Sequence, residues 1–277
     1  MYNVRIIEYP ESYQVRMYSD LLYEGEDRSV RVNRFTGEVI ERKKRTIVPD
    51  HWYTALFEFE ELDDIMRDKK EDSIRASFTR TKNSLYYIAR SNMWDWFVTL
   101  TLDGKKIDRY DYDECSKRVR KWFENIKRRK APGMYYLIVP EMHKDGAWHF
   151  HGLLGGCEGL SFVDSGHKDE SGNVIYNFEN WQFGFSTATA VQETERVSSY
   201  ICKYITKDMC EATAGRQRYW VSKNCARAPI SKELVPYDDM QEYKHRLYDK
   251  MSYKKRVQTE YMDIDYFEIP KGENNNG

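Results

Sequence analysis

His149 and His151 stand two residues apart in the run AWHFHGLL. In an extended segment side chains alternate between faces, so the two imidazoles project together while Trp148, Phe150 and Leu154 take the other face. Imidazole is the commonest metal ligand at neutral pH, and a pair of them backed by an apolar face is half of a metal site. The segment before it supplies a test of the other half. A three-residue loop at Lys144-Asp145-Gly146, with Gly146 left-handed, sets Glu141 directly opposite His149 and on the same face. A two-residue loop would turn Glu141 to the wrong face. With the first loop, Glu141, His149 and His151 converge as two nitrogens and one carboxylate with open positions, a set suited to Mg²⁺ or Mn²⁺ in nuclease chemistry. His143 reads first as a turn residue and second as a partner of the ligands.

A second group lies in SSYICKYITKD, where Tyr200 and Tyr204 are one helical turn apart, as are Lys203 and Lys207. The chain has 22 tyrosines, so one tyrosine at helical spacing says little. The doubled Tyr-x-x-Lys unit says more, because each lysine follows its tyrosine by one turn and is placed to stabilise a phenolate or the phosphate it attacks. Phenol has a pKa of about 10, so it attacks a phosphodiester only where phosphorus is activated and the displaced oxygen neutralised. A cation held by Glu141, His149 and His151 would meet both needs. The product would be a covalent phosphotyrosine that conserves the bond energy for rejoining.

Positioning these groups calls for alternating strands and helices. Trp96–Leu102 and Met134–Pro140 read as strands, as do Ala147–Leu154 and Gly184–Val191. Helices are expected from an N-cap at Asp72 (apolar Ile74, Phe78, Leu85 and Ile88, with Arg75, Arg80 and Lys82 on an outer face), after Asp111 and Asp113 (stripe Val119, Trp122, Phe123, Ile126), and from Glu193 to about Cys210. The stretch between Leu154 and Gly184 reads as a polar loop. The domain reading is an accessory region at 1–70, a core at 71–215 and an extension at 216–277 ending in a disordered tail.

The chain of 277 residues suffices for one large domain or a core with additions, and its net charge is −1. It contains no apolar run near 18 residues, and MYNVRIIEYPESYQVR lacks the basic-then-apolar order of a signal peptide, so the expectation is a soluble, cytoplasmic protein without membrane contact. The cysteines, Cys115, Cys157, Cys202, Cys210 and Cys225, form no C-x-x-C pair and read as reduced thiols. Charge is uneven: Lys117–Lys130 and Arg42–Arg45 are basic, FEFEELDD and Glu260–Glu268 acidic. Arg120, Lys127 and Arg128 are candidate phosphate contacts, and Arg216–Pro229 mixes arginine and aromatics like a single-strand-binding surface. Thr99 and Thr101 share a strand face beside the metal set and are candidates for backbone phosphate.

FVTLTL, HFHGLL and YICKYITK together resemble, in order and separation, the three motifs of HUH endonucleases of the rolling-circle replication initiator class. The paired tyrosines look like the two-tyrosine initiators of small single-stranded DNA phages and bacterial plasmids. The family's acidic ligand, eight residues before the first histidine, falls on Glu141. The resemblance spans roughly Ile88 to Cys210. It implies an α+β fold with a central antiparallel sheet of about five strands, related to the ferredoxin-like or RNA-recognition fold. It also implies metal-dependent cleavage of an origin in single-stranded DNA, a 5′-phosphotyrosine intermediate and a free 3′-hydroxyl. No G-x-x-x-x-G-K-[ST] occurs, so a host helicase, with host DNA polymerase and single-strand-binding protein, is implied as partner. A relaxase, a transposase and a catalytically silent origin-binding protein or repressor are the rival readings.

Overall fold

The computed structural model describes residues 1–22, 30–32, 39–41, 69–258 and 262–272. The runs Arg42–Arg45 and FEFEELDD, Glu260 and the tail from Glu273 lie outside the described residues. In chain order the elements are β1 (Tyr2–Glu8), β2 (Ser12–Leu22), β3 (Val30–Val32), β4 (Val39–Glu41), α1 (Lys69–Arg90), β5 (Trp96–Thr101), α2 (Tyr112–Arg129), β6 (Tyr135–Met142), β7 (Trp148–Gly155), β8 (Phe162–Lys168) and β9 (Val174–Phe178). There follow β10 (Ser186–Ala190), α3 (Thr194–Ile201), a 3₁₀ turn (Cys202–Tyr204), α4 (Lys207–Ala212), β11 (Trp220–Val221), β12 (Ile230–Glu233), α5 (Met240–Tyr248), β13 (Tyr253–Gln258) and β14 (Asp263–Pro270). The fold is α+β with antiparallel sheets. Among the described residues no helix is long and apolar enough to cross a membrane.

The chain divides into two compact units, 1–59 with 228–277, and 60–227. The sequence reading kept the two terminal regions apart, whereas in the structure they share one five-stranded sheet in the order β12-β1-β2-β14-β13. A lone β1–β2 hairpin is marginal in water, and pairing with strands from the far end of the chain gives it a buried face. That face holds Val4, Val15, Met17 and Phe267, with Tyr243 and Leu247 of α5 packed against it. The acidic character of β14 is neutralised locally, since Asp265 accepts from Lys244 and from Arg256.

In the second unit, seven strands run β11-β6-β7-β5-β10-β9-β8, so the expected sheet of about five strands is the middle of a larger one. β5, α2 and β6 form a βαβ unit split by β7, which pairs antiparallel with both strands, and β10 flanks β5 on its other side. This is the ferredoxin-like order, with one difference: a β8–β9 hairpin stands between β7 and β10 where that fold has its second helix, and the next helix follows β10. Asp111 caps α2, accepting from the backbone N–H of Asp113 and Glu114. Val119, Trp122, Phe123 and Ile126 are all buried. They face the apolar side of the sheet, where Phe123 meets Tyr136 at 4.7 Å and Tyr112 meets Trp148 at 4.7 Å between ring centroids. Each large side chain buried this way contributes on the order of 2 kcal/mol.

Four sequence expectations change. α1 begins at Lys69, so Asp72 lies within its first turn and does not cap it. Lys82 is buried, not on an outer face, and burial pulls its ammonium below the usual lysine range. The stretch read as a polar loop contains β8 and β9; β8 is exposed along most of its length and so carries no apolar alternation to read. The helix from Glu193 does not continue to Cys210: Ile205 is extended (φ −82°, ψ 98°), and α4 starts afresh with Thr206 as its cap.

Gly184 fixes how closely the end of β5 meets the chain entering β10. Thr101 N–H donates to Phe185 O and Asp103 N–H to Phe183 O, both at 2.8 Å. A Cβ on Gly184 would stand 2.2 Å from the Thr101 carbonyl oxygen and 2.8 Å from Asp103 N. Backbone atoms cannot rotate aside, so Gly184→Ala is expected to cost about 1–3 kcal/mol. Denaturant midpoints of the two proteins measure this; an unchanged midpoint would show that β5 yields there freely.

Candidate active site

The loop between β6 and β7 has the three-residue form. His143 N–H donates to Ala147 O and Gly146 N–H to His143 O, both at 2.9 Å, and Gly146 has φ 84°. Glu141 therefore lies opposite His149, and His149 lies opposite Thr101 on the other neighbour. The next row on the same face is Val139, His151 and Thr99. Three strands thus deliver a carboxylate, two imidazoles and two hydroxyls to one patch.

Glu141 Oε2 lies 2.7 Å from His151 Nε2. A carboxylate only accepts, so this nitrogen carries the ring proton, and the Thr99 hydroxyl, 3.1 Å from Nδ1, donates to the other side of the ring. Thr101 Oγ1 stands 3.4 Å from His149 Nδ1 in the same relation. The threonines read as phosphate contacts are therefore supports of the two imidazoles. His143 is not only a turn residue: its ring stacks on His149 with centroids 3.7 Å apart, and its Nε2 lies 3.4 Å from Glu141 Oε2. Its parity with Glu141, two residues earlier on the same strand face, was the available signal.

Burial, followed by repulsion from His143 and His151, pushes the His149 imidazole down to about 4. Burial also lowers His151, against the pull of its Glu141 hydrogen bond. For Glu141, burial acts to raise the carboxyl, but the His151 hydrogen bond and the charges of His151, His143 and His149 outweigh it and hold it below the usual carboxylate range. At neutral pH His149 and His151 are neutral and Glu141 is ionised.

The tyrosines reach this patch from α3 and the turn after it. Tyr204 stacks on His151 with ring centroids 3.5 Å apart and planes within 12°. Tyr200 is 41% exposed and packs its edge on Phe97 at 5.1 Å. The Tyr204 hydroxyl donates to the Tyr200 hydroxyl oxygen at 3.1 Å, so the two phenols are not equivalent. Burial first, then the bond and proximity to Tyr200, push the Tyr204 phenol upward. Lys203 reaches Tyr200, its Nζ 4.8 Å from the ring centroid. The break at Ile205 separates Lys207 from Tyr204, and among the described residues no contact joins them.

Other candidates lie elsewhere. Arg120, Lys127 and Arg128 sit on α2, which covers the opposite face of the sheet. Lys127 donates to Asn224 and Arg128 to Asn125. In the segment 216–229, Arg216 pairs with Asp113 at 2.8 Å, Arg218 donates to Ser77 and to Cys210 O, and Trp220 is buried, so these side chains serve the fold. The five cysteines are free.

Among the described residues, no group of three or more His, Cys, Asp or Glu side chains already stands in an arrangement that holds a metal ion. The donor chemistry nevertheless fits a divalent cation. Glu141 Oε2 and His151 Nε2 converge on each other, and the imidazoles are neutral, as ligands must be. A cation on Nε2 requires the ring proton to move to Nδ1. A threonine hydroxyl accommodates either state, donating to bare Nδ1 or accepting from Nδ1–H.

Residues 95–209 match a family model whose description is "replication-associated protein". No curated protein and no solved structure matches the chain. The matched span begins beside β5 and ends in α4, so every residue of the patch lies within it. Over that span the chain is similar to replication-associated proteins.

Replacing the hydroxyl that holds His151 tests the tautomer assignment. In Thr99→Val, the ¹⁵N resonance of His151 Nδ1 is expected to shift while Nε2 keeps its one-bond proton coupling, and Thr99→Ser should restore the native value. An unshifted Nδ1 in the valine protein would remove Thr99 from the support of the ring.

Proposed function

We propose that this protein is a rolling-circle replication initiator that nicks and rejoins single-stranded DNA at an origin through a 5′-phosphotyrosine intermediate. The observation that carries the reading is the stacking of Tyr204 on His151, which brings the tyrosine pair onto the Glu141, His149 and His151 patch. The match of residues 95–209 to a replication-associated family agrees with it.

Glu141, His149 and His151 would hold Mg²⁺ or Mn²⁺, with His143 beside them. Bound there, the cation supplies Lewis-acid polarisation of the scissile phosphate and neutralises charge on the departing oxygen. Tyr200 is the first nucleophile. It is the exposed phenol, and the hydrogen bond it accepts from Tyr204 stabilises its oxygen as the proton leaves to solvent. Its oxygen forms a bond to phosphorus as the bond from phosphorus to the 3′ oxygen breaks, and the 3′ oxygen takes up a proton. One phosphodiester is exchanged for one phosphotyrosine ester, so attack by a 3′-hydroxyl reverses the step without an external energy source. Lys203, against the Tyr200 ring, places a cation beside the phosphate. Tyr204 is available for a second transfer once Tyr200 is occupied. Unwinding and synthesis would fall to a host helicase, polymerase and single-strand-binding protein.

Incubation with Mn²⁺ and a labelled single-stranded origin oligonucleotide is expected to give an adduct that survives a denaturing gel. EDTA should remove it, Tyr200→Phe should lower its initial rate at least about 100-fold, and Tyr204→Phe should keep the first cut and lose the second transfer. A Tyr200→Phe protein reacting at the wild-type rate would overturn the nucleophile assignment. Absence of an adduct with every single-stranded substrate, with Mg²⁺ or Mn²⁺, would leave the binding-only alternative.

A further inference from the structure

A cleft of about 760 Å³ opens beside Tyr200 on the tyrosine face of the sheet. Its floor is built from strand residues of that face: Thr187 and Thr189 of β10 pair with Thr99 and Phe97 of β5. Residues of α3, including Arg196 and Tyr200, line one side. The other side comes from Ile175 and the turn of the β8–β9 hairpin, the element that stands where a ferredoxin-like fold has a helix. Tyr204 does not line it.

The hairpin wall is set before any ligand arrives. Asp169 Oδ1 accepts from the N–H of Ser171 and Asn173 at 2.9 Å each, its Oδ2 accepts from Asn173 Nδ2 at 3.0 Å, and Gly172 turns the chain at φ 84°. Across the cleft, Glu193 sits at the N-cap of α3, and its side chain makes no capping hydrogen bond. The lining carries three carboxylates, of Asp169, Glu170 and Glu193, against one guanidinium, that of Arg196. Asp169 is committed to its own turn, which leaves Glu170 and Glu193 as exposed acceptors.

This chemistry selects among the parts of a DNA strand. A net negative lining rejects a run of phosphates, whereas a nucleobase is uncharged and planar, and stacks on aromatic rings such as Phe97 and Tyr200. One guanidinium matches one phosphate. Carboxylate acceptors match the exocyclic amino groups of cytosine, adenine and guanine, which thymine lacks.

We propose that the cleft is a nucleobase subsite for a nucleotide next to the scissile phosphate, and that Glu170 and Glu193 make it discriminate against thymine. The subsite rests on the nuclease reading above, because it is the exposed Tyr200 that ties it to the reacting bond.

A pool of single-stranded oligonucleotides randomised around the cut, incubated with the full-length protein and Mn²⁺, tests it. Covalent adducts are recovered and their DNA sequenced. Wild type is expected to deplete thymine about tenfold at one position flanking the cut, the discrimination of a good base-edge contact. Glu170→Ala/Glu193→Ala, altered only at exposed side chains, should still form adducts but lose that bias, and biases at other positions should persist. Adducts with no thymine depletion in wild type, or with the same depletion in the double variant, would overturn the subsite while leaving the nuclease reading intact. A pool that yields no adduct overturns the nuclease reading, and the subsite with it.

Discussion

The site depends on the pairing register of β7 with its two neighbours. Because side chains alternate with period two, a slip of one residue on either edge would send Glu141 or the two threonines to the opposite face. Register is held from behind. Trp148, Phe150 and Leu154 are buried on the face that α2 covers, so a slip would expose those apolar groups while burying polar ones without partners. The polar row thus inherits its precision from the apolar row beneath it. The three-residue loop ending in left-handed Gly146 fixes the same register from the end of the hairpin.

On that platform the tyrosine segment is placed by a ring stack, with Tyr204 against His151. The contact separates the two phenols. Tyr204 commits its ring to the histidine and its proton to Tyr200, while Tyr200 keeps an exposed oxygen that receives a hydrogen bond. Two tyrosines that look alike in sequence therefore differ as nucleophiles. The asymmetry arises because α3 ends at Ile201 and a tighter turn carries Tyr204.

The sequence made the site's rows legible, and the elements that depend on exposed or long-range pairing were not. Glu141 opposite His149 followed from loop length and a glycine, both local. The partners of Thr99 and Thr101 were hidden, since alternation gives a shared face but not which strand lies adjacent, and only the β5–β7 pairing sets each hydroxyl on an imidazole. The stop at Ile205 escaped because the residues around it carry no glycine or proline to announce it. The β8–β9 hairpin escaped because polar, exposed strands look like loop. The five-stranded sheet of the other unit joins strands more than 200 residues apart in sequence, a pairing that no local pattern encodes.

The near-neutral charge of the chain conceals a division between the two faces of one sheet. On the α2 side, Arg118, Lys121, Arg129 and Lys130 line a groove of about 640 Å³ with a single carboxylate, that of Glu179. On the tyrosine side the cleft beside Tyr200 has the opposite balance. Long-range attraction for phosphates therefore favours the face away from the reacting groups, and it weakens as salt rises. A strand that settles at Tyr200 has to be retained by contacts that survive salt: ring stacking, base-edge hydrogen bonds and the neutral imidazoles of His149 and His151. For an enzyme whose task is one bond among many in a uniform polyanion, keeping charge away from the nucleophile lets base recognition, rather than the backbone, decide which phosphate is presented.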